Sequence, residues 1–111
     1  MVRDNPTSRN RLVRIEKPAQ TTTSGKTVET WALYSRVWVR IEPLSGREYW
    51  DAKEQTSAIT HKMTGAWGEF ENVKADFRVV YEGRTFHLAE SPRNIEEANV
   101  LAEMLIVEET R

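Results

Sequence analysis

The chain contains no cysteine. That excludes disulfides and thiolate metal sites, and it fits a reducing compartment. Histidine is nearly as scarce: His61 and His87 are the only two. No apolar run approaches the roughly 20 residues that cross a membrane as a helix. Residues 1–10 are polar and lack the apolar core of a signal peptide. There is no excess charge of either sign, because the net charge is −1. Nothing in the bulk balance therefore favours wrapping DNA or lying on an anionic membrane. No internal repeat is present.

What is there suits one modest domain. The chain has 111 residues, 39% hydrophobic and 30% charged. That is enough for a single core and a well-charged surface. We expect the protein to be made and kept in a cytoplasm until it joins something.

Alternation is the dominant pattern. Residues 12–17 alternate, with Val13 and Ile15 on one face, and Pro18 ends or edges that strand. Residues 21–26 read as a loop by composition. Residues 30–41 form the clearest strand. Trp31, Leu33, Val37, Val39 and Ile41 fall on its core face. Tyr34, Arg36, Trp38, Arg40 and Glu42 fall on the other. Two aromatics among arginines resemble an interface, although Tyr34 and Trp38 would equally serve to cover a neighbouring strand or loop.

That strand should stop at Pro43, which has no N–H to give a ladder. Ser45 and Glu48 then have capping-box spacing, so a short helix can start. Residues 51–56 are polar and do not alternate. The region reads as a polar excursion hung on a β scaffold, and such excursions often carry function. Residues 57–67 alternate again, with Ile59, His61, Met63 and Gly65 on one face. Phe77, Val79 and Tyr81 lead into Glu82-Gly83, and Phe86 and Leu88 lead out, which is the signature of a tight hairpin. Near the C-terminus, helical spacing at 95–105 competes with the apolar run Met104-Leu105-Ile106-Val107. We assign a strand from about Leu101 to Glu108.

Catalytic motifs are missing. No H-E-x-x-H, G-x-S-x-G or P-loop occurs. Ser24-Gly25-Lys26-Thr27 looks like the end of a Walker A motif, but position 20 is Gln20 where a glycine is required. His61 reads as a hydrogen-bonded histidine at the edge of the core. Neither a cofactor nor a metal site is expected, and the chain is not expected to be an enzyme.

The run Trp38-Val39-Arg40-Ile41-Glu42-Pro43-Leu44-Ser45-Gly46-Arg47-Glu48-Tyr49 resembles the signature of the tailed-phage head–tail joining family, also called head closure, head–tail adaptor or stopper proteins. The resemblance continues through Thr60-His61-Lys62-Met63-Thr64 and the hairpin at residues 78–86. It covers roughly residues 11–108. It departs from the family at Gly65, where members usually carry an apolar residue, and at residues 67–72, where a short turn is usual.

Together these readings give a mainly β fold: a small closed barrel or sandwich of five to six antiparallel strands, with one short helix or long polar loop. Residues 1–10 would be a flexible N-terminal arm and 11–108 the barrel domain. The resemblance implies a structural virion protein that forms a ring at the head–tail connector, closes the portal channel after packaging and offers a surface to the tail. It implies the portal or adaptor ring above and a tail-completion or tail-tube protein below. Packaged DNA would be a weak, non-specific neighbour, and no membrane is involved. The core suffices for a monomer in isolation, and the host cytoplasm would hold it before assembly. Pro43, Leu44, Ser45, Gly46, Arg47, Glu48, Tyr49, Trp50 and Lys53 are candidates for a channel gate, with an ordered helix packed on its own barrel as the other possibility. Tyr34, Arg36, Trp38 and Arg40 are candidates for a subunit or ring contact. The alternative function is a small OB-like module that stacks single-stranded nucleic acid on those aromatics.

Overall fold

A computed structural model describes residues 9–44 and 59–109. Within them the chain is dominated by seven strands: β1 (Arg11–Thr23), β2 (Lys26–Pro43), β3 (His61–Ala66), β4 (Arg78–Tyr81), β5 (Arg84–Leu88), β6 (Arg93–Asn94) and β7 (Leu101–Glu108). One four-residue helix, α1 (Trp67–Phe70), follows β3. A 3-10 turn at Ile95–Glu97 precedes β7.

Six strands close on themselves in the order β3-β2-β1-β4-β5-β7, and β3 pairs with β7 to complete the circuit. All pairings are antiparallel. Closure removes the open edges that a short sheet would otherwise expose. The two-residue β6 lies outside the circuit, against β7. The expected strand at the C-terminus is present with its expected bounds.

Alternation explains the core. Val13 and Ile15 of β1, Val37 and Val39 of β2, and Met63 of β3 are buried, as are Val79, Phe86, Met104 and Ile106. Each is one of an i, i+2 set that a pleated strand puts on one face. Burying a Val, Ile or Phe stabilises the fold by about 1.5–3 kcal/mol each, so this cluster is the main favourable term. Both tight turns use two residues at positive φ: Ser24 (53°) with Gly25 (78°), and Glu82 (47°) with Gly83 (80°). That is the type I′ geometry whose twist matches the flanking strands.

Two expectations change. First, residues 21–26 are not a loop. β1 and β2 continue as a paired hairpin to Thr23 and Lys26, joined by Ser24-Gly25. The arm carries the two strands well past the barrel, and the molecule measures 54 × 29 × 25 Å. Second, the register shifts by one residue in β2. Ile15 faces Ser35, but Glu16 faces Leu33, so Tyr34 is the extra residue of a β-bulge. A bulge exchanges the two faces of a strand. Val37 and Val39 point into the barrel, whereas Trp31 and Leu33 are exposed at 37% and 41%. Trp31 and Leu33 therefore do not share the core face with Val37.

Candidate functional site

The polar excursion leaves the barrel from two adjacent strand ends. Pro43, the last residue of β2, lies opposite His61, the first of β3. One step further, the Leu44 N–H donates to the Thr60 carbonyl at 3.2 Å. Pro43 and Leu44 thus sit at the neck. Ser45, Gly46, Arg47, Glu48, Tyr49, Trp50 and Lys53 lie outside the described residues.

The neck is stitched to β7. The Thr60 N–H donates to the Ile106 carbonyl at 3.0 Å. Its hydroxyl accepts from the Glu108 N–H at 2.8 Å. His61 Nδ1 stands 2.7 Å from the same hydroxyl. The His61 ring meets Phe86 edge-on, with centroids 5.3 Å apart. Partial burial lowers the His61 pKa below 6.5, nearby Arg84 lowers it further, and Glu108 opposes both. Arg84 grips Glu108 through two hydrogen bonds of 2.8 Å each. That fork holds the Glu108 carboxyl below its usual range and raises Arg84. Two clefts flank His61 at this end of the barrel. One, of about 340 Å³, includes Arg11, Tyr81 and Arg84; the other, of about 630 Å³, includes Thr60, Thr85 and Glu108.

The second candidate surface lies on the outside of β1 and β2. Trp38 is 53% exposed, and its cross-strand partner Leu12 is 46% exposed. Arg36 faces Arg14 one pair along. Arg40 Nε lies 3.1 Å from Glu42 Oε1, an ion pair without hydrogen-bond alignment. Leu12 was not singled out from the sequence; only the β1–β2 register sets it against Trp38. Tyr34 does not join this surface. The bulge turns its ring toward buried Phe77, edge-on at 5.1 Å. The four residues expected at one contact are therefore split, with Arg36, Trp38 and Arg40 together and Tyr34 apart.

A third cluster pins the root of the hairpin arm. Glu16 is 8% exposed although it points away from the core. It accepts from Arg78 Nε at 2.7 Å and from Arg14 at 3.3 Å. Arg78 in turn lies 4.3 Å from the centre of the Trp31 ring, a cation–π contact. This chain of contacts uses Trp31 on the outer face, where the bulge has put it.

Among the described residues no three of His, Asp or Glu converge to hold a metal ion. No described helix is long and apolar enough to cross a membrane.

A sequence model of the phage head completion protein family matches residues 5–109. The chain belongs to that family and is of the phage structural head–tail class. The fold also matches the solution structure of protein SF1141 from Shigella flexneri 2a. The TM-score is 0.77 at 18% identity, over 92% of this chain and 94% of that one. No curated protein matches the chain in sequence.

Proposed function

We propose that the protein forms a ring at the head–tail connector of a tailed phage, prophage or gene-transfer particle. In that ring it closes the portal channel after DNA packaging and presents the surface to which the tail attaches. The observation that carries the reading is the family match across nearly the whole chain. Its partners are further copies of itself, the portal or adaptor ring above, and a tail-completion or tail-tube protein below. Packaged DNA is a weak neighbour in the channel. The protein waits in the host cytoplasm as a monomer and ends in the virion. Its work is assembly and not turnover, through heterologous contacts that close by rotation.

The excursion between Leu44 and Thr60 is the part we assign to the channel. Its ends are held side by side by the neck, next to the residues we assign to the gate. Tyr49 and Trp50 supply apolar surface that neighbouring copies would bury against one another.

The test is a particle assembled without the protein. Packaging should fill heads normally, but those heads should lack tails and lose their DNA. Tailed, infectious particles from a null strain would overturn the proposal. No described contact favours the nucleic-acid module, whose aromatic pair the bulge separates.

A further inference from the structure

Among the described residues, no strand outside the hairpin pairs with its arm. β1 meets β4 only at residues 14–16, and β2 meets β3 only at residues 40–43. Beyond those points the strands pair with each other alone, Lys17 with Ala32 up to Thr23 with Lys26. Both outer edges of the arm therefore present backbone N–H and C=O groups that no described strand takes up. Every residue from 20 to 29 is exposed, on both faces of the ribbon. A two-stranded ribbon without a core is marginal in water.

Long open edges are usually blunted with charge, proline or a short length. Here Lys26 and Glu29 are the only charges between residues 18 and 33. Pro18 stands at the root, where a missing N–H would stop a ladder. The stretch above it is rich in β-branched residues, with Thr21, Thr22, Thr23, Thr27, Val28 and Thr30. These suit a strand with neighbours on both sides.

The two edges also suit each other. They belong to antiparallel strands of equal reach. Rotational symmetry keeps every copy's arm pointing the same way along the axis. The β1 edge of one arm then runs opposite to the β2 edge of the next, and they can share an antiparallel ladder.

We infer that residues 17–33 are an assembly arm whose open edges pair with the arms of neighbouring copies, joining the hairpins into one continuous β-cylinder. The inference rests on the ring reading above. The occupant of each edge is a second copy of this chain, and main-chain hydrogen bonds supply the contact. The Glu16–Arg78–Trp31 cluster fixes the arm's direction at its root, so that edges meet in register.

The test uses the absence of cysteine from the native chain. Gln20 and Thr22 of β1, with Glu29 and Thr27 of β2, lie on one face as cross-strand pairs. Particles are assembled in cells that supply two single-cysteine forms, Gln20→Cys or Thr22→Cys with Thr27→Cys or Glu29→Cys. On mild oxidation at least one combination should convert up to about half of each chain into a covalent dimer, the share whose neighbour on that edge carries the other cysteine. Either variant alone should remain monomeric on a denaturing gel. If the protein is present in particles and no combination cross-links, or the bond forms to a different virion protein, the arm pairing is wrong and the ring reading survives. If wild-type chain is absent from purified particles, the ring reading fails and takes the arm with it.

Discussion

The ring of Phe70 occupies the space above Gly65. A Cβ placed on Gly65 would stand 2.3 Å from Phe70 Cε2. Phe70 comes from α1, immediately after β3, and is fully buried. The glycine on β3 and the short helix that follows it are complementary: the turn at residues 67–70 brings a phenyl ring back over the position that has no side chain.

The pair should therefore behave as one unit. Phe70→Ala leaves a cavity and should cost about 3–5 kcal/mol. Gly65→Val forces the ring out and should also be destabilising. Together, valine partly fills the space that the ring vacates, so the double variant should be more stable than the sum of the two losses. Urea unfolding of the four proteins checks this. Strict additivity would show that the two residues do not share the space.

Stability should fall with acid in two steps. His61 has a folded pKa below its unfolded value of 6.5, chiefly from burial. The unfolded chain then binds more protons around and below pH 6.5, so stability is full above that value and declines as pH falls through the folded pKa. Glu108 is depressed by Arg84 from 4.5, and its contribution is lost at lower pH still, as pH falls through its own folded pKa. His61→Gln should flatten the slope of stability between about pH 7 and 5 and leave the lower step in place. An unchanged slope in that range would remove His61 as its source.

Trp38 and Leu12 form the exposed apolar pair on the barrel's outside. Trp38→Ser and Leu12→Ser should each change stability by no more than about 0.5 kcal/mol. Each should reduce incorporation into particles, because aromatics concentrate binding energy at contacts. Calorimetry with quantitative blotting of purified particles separates the two effects. Normal incorporation of both variants would place the ring contact elsewhere.

Much of the barrel was legible because one face of each strand is buried. Val13 with Ile15, Val37 with Val39, and Phe77 with Val79 all announce the core by period two. Glu82-Gly83 announces its turn by the φ it requires. The hairpin arm was not legible for the opposite reason. Thr21, Thr22 and Thr23 face solvent on both sides, so no hydrophobic alternation marks them, and composition alone suggests a loop. The bulge at Tyr34 was hidden too. One extra residue leaves composition unchanged and shows only in the pairing of Glu16 with Leu33. That single step moved Trp31 out of the expected core and Tyr34 away from Trp38. Leu12 escaped notice because its partner across the sheet is fixed by register.

The excursion can be shortened without touching the barrel. Its neck is fixed by Pro43 opposite His61, by the Leu44–Thr60 hydrogen bond, and by Thr60 bonding to Ile106 and Glu108. Deleting residues 47–54 removes none of these groups. Loop-closure entropy depends only weakly on length, so the change in stability should be about 1 kcal/mol or less. The deleted protein should fold, show an unchanged barrel by amide exchange and still enter particles. Those particles should lose packaged DNA, since the groups assigned to the channel are gone. DNA retention is read by nuclease protection of purified heads, and incorporation by blotting. Tailed, infectious particles carrying the deletion would rule out a gate at residues 43–53, while an unfolded product would show that the excursion contributes to the stability of the barrel.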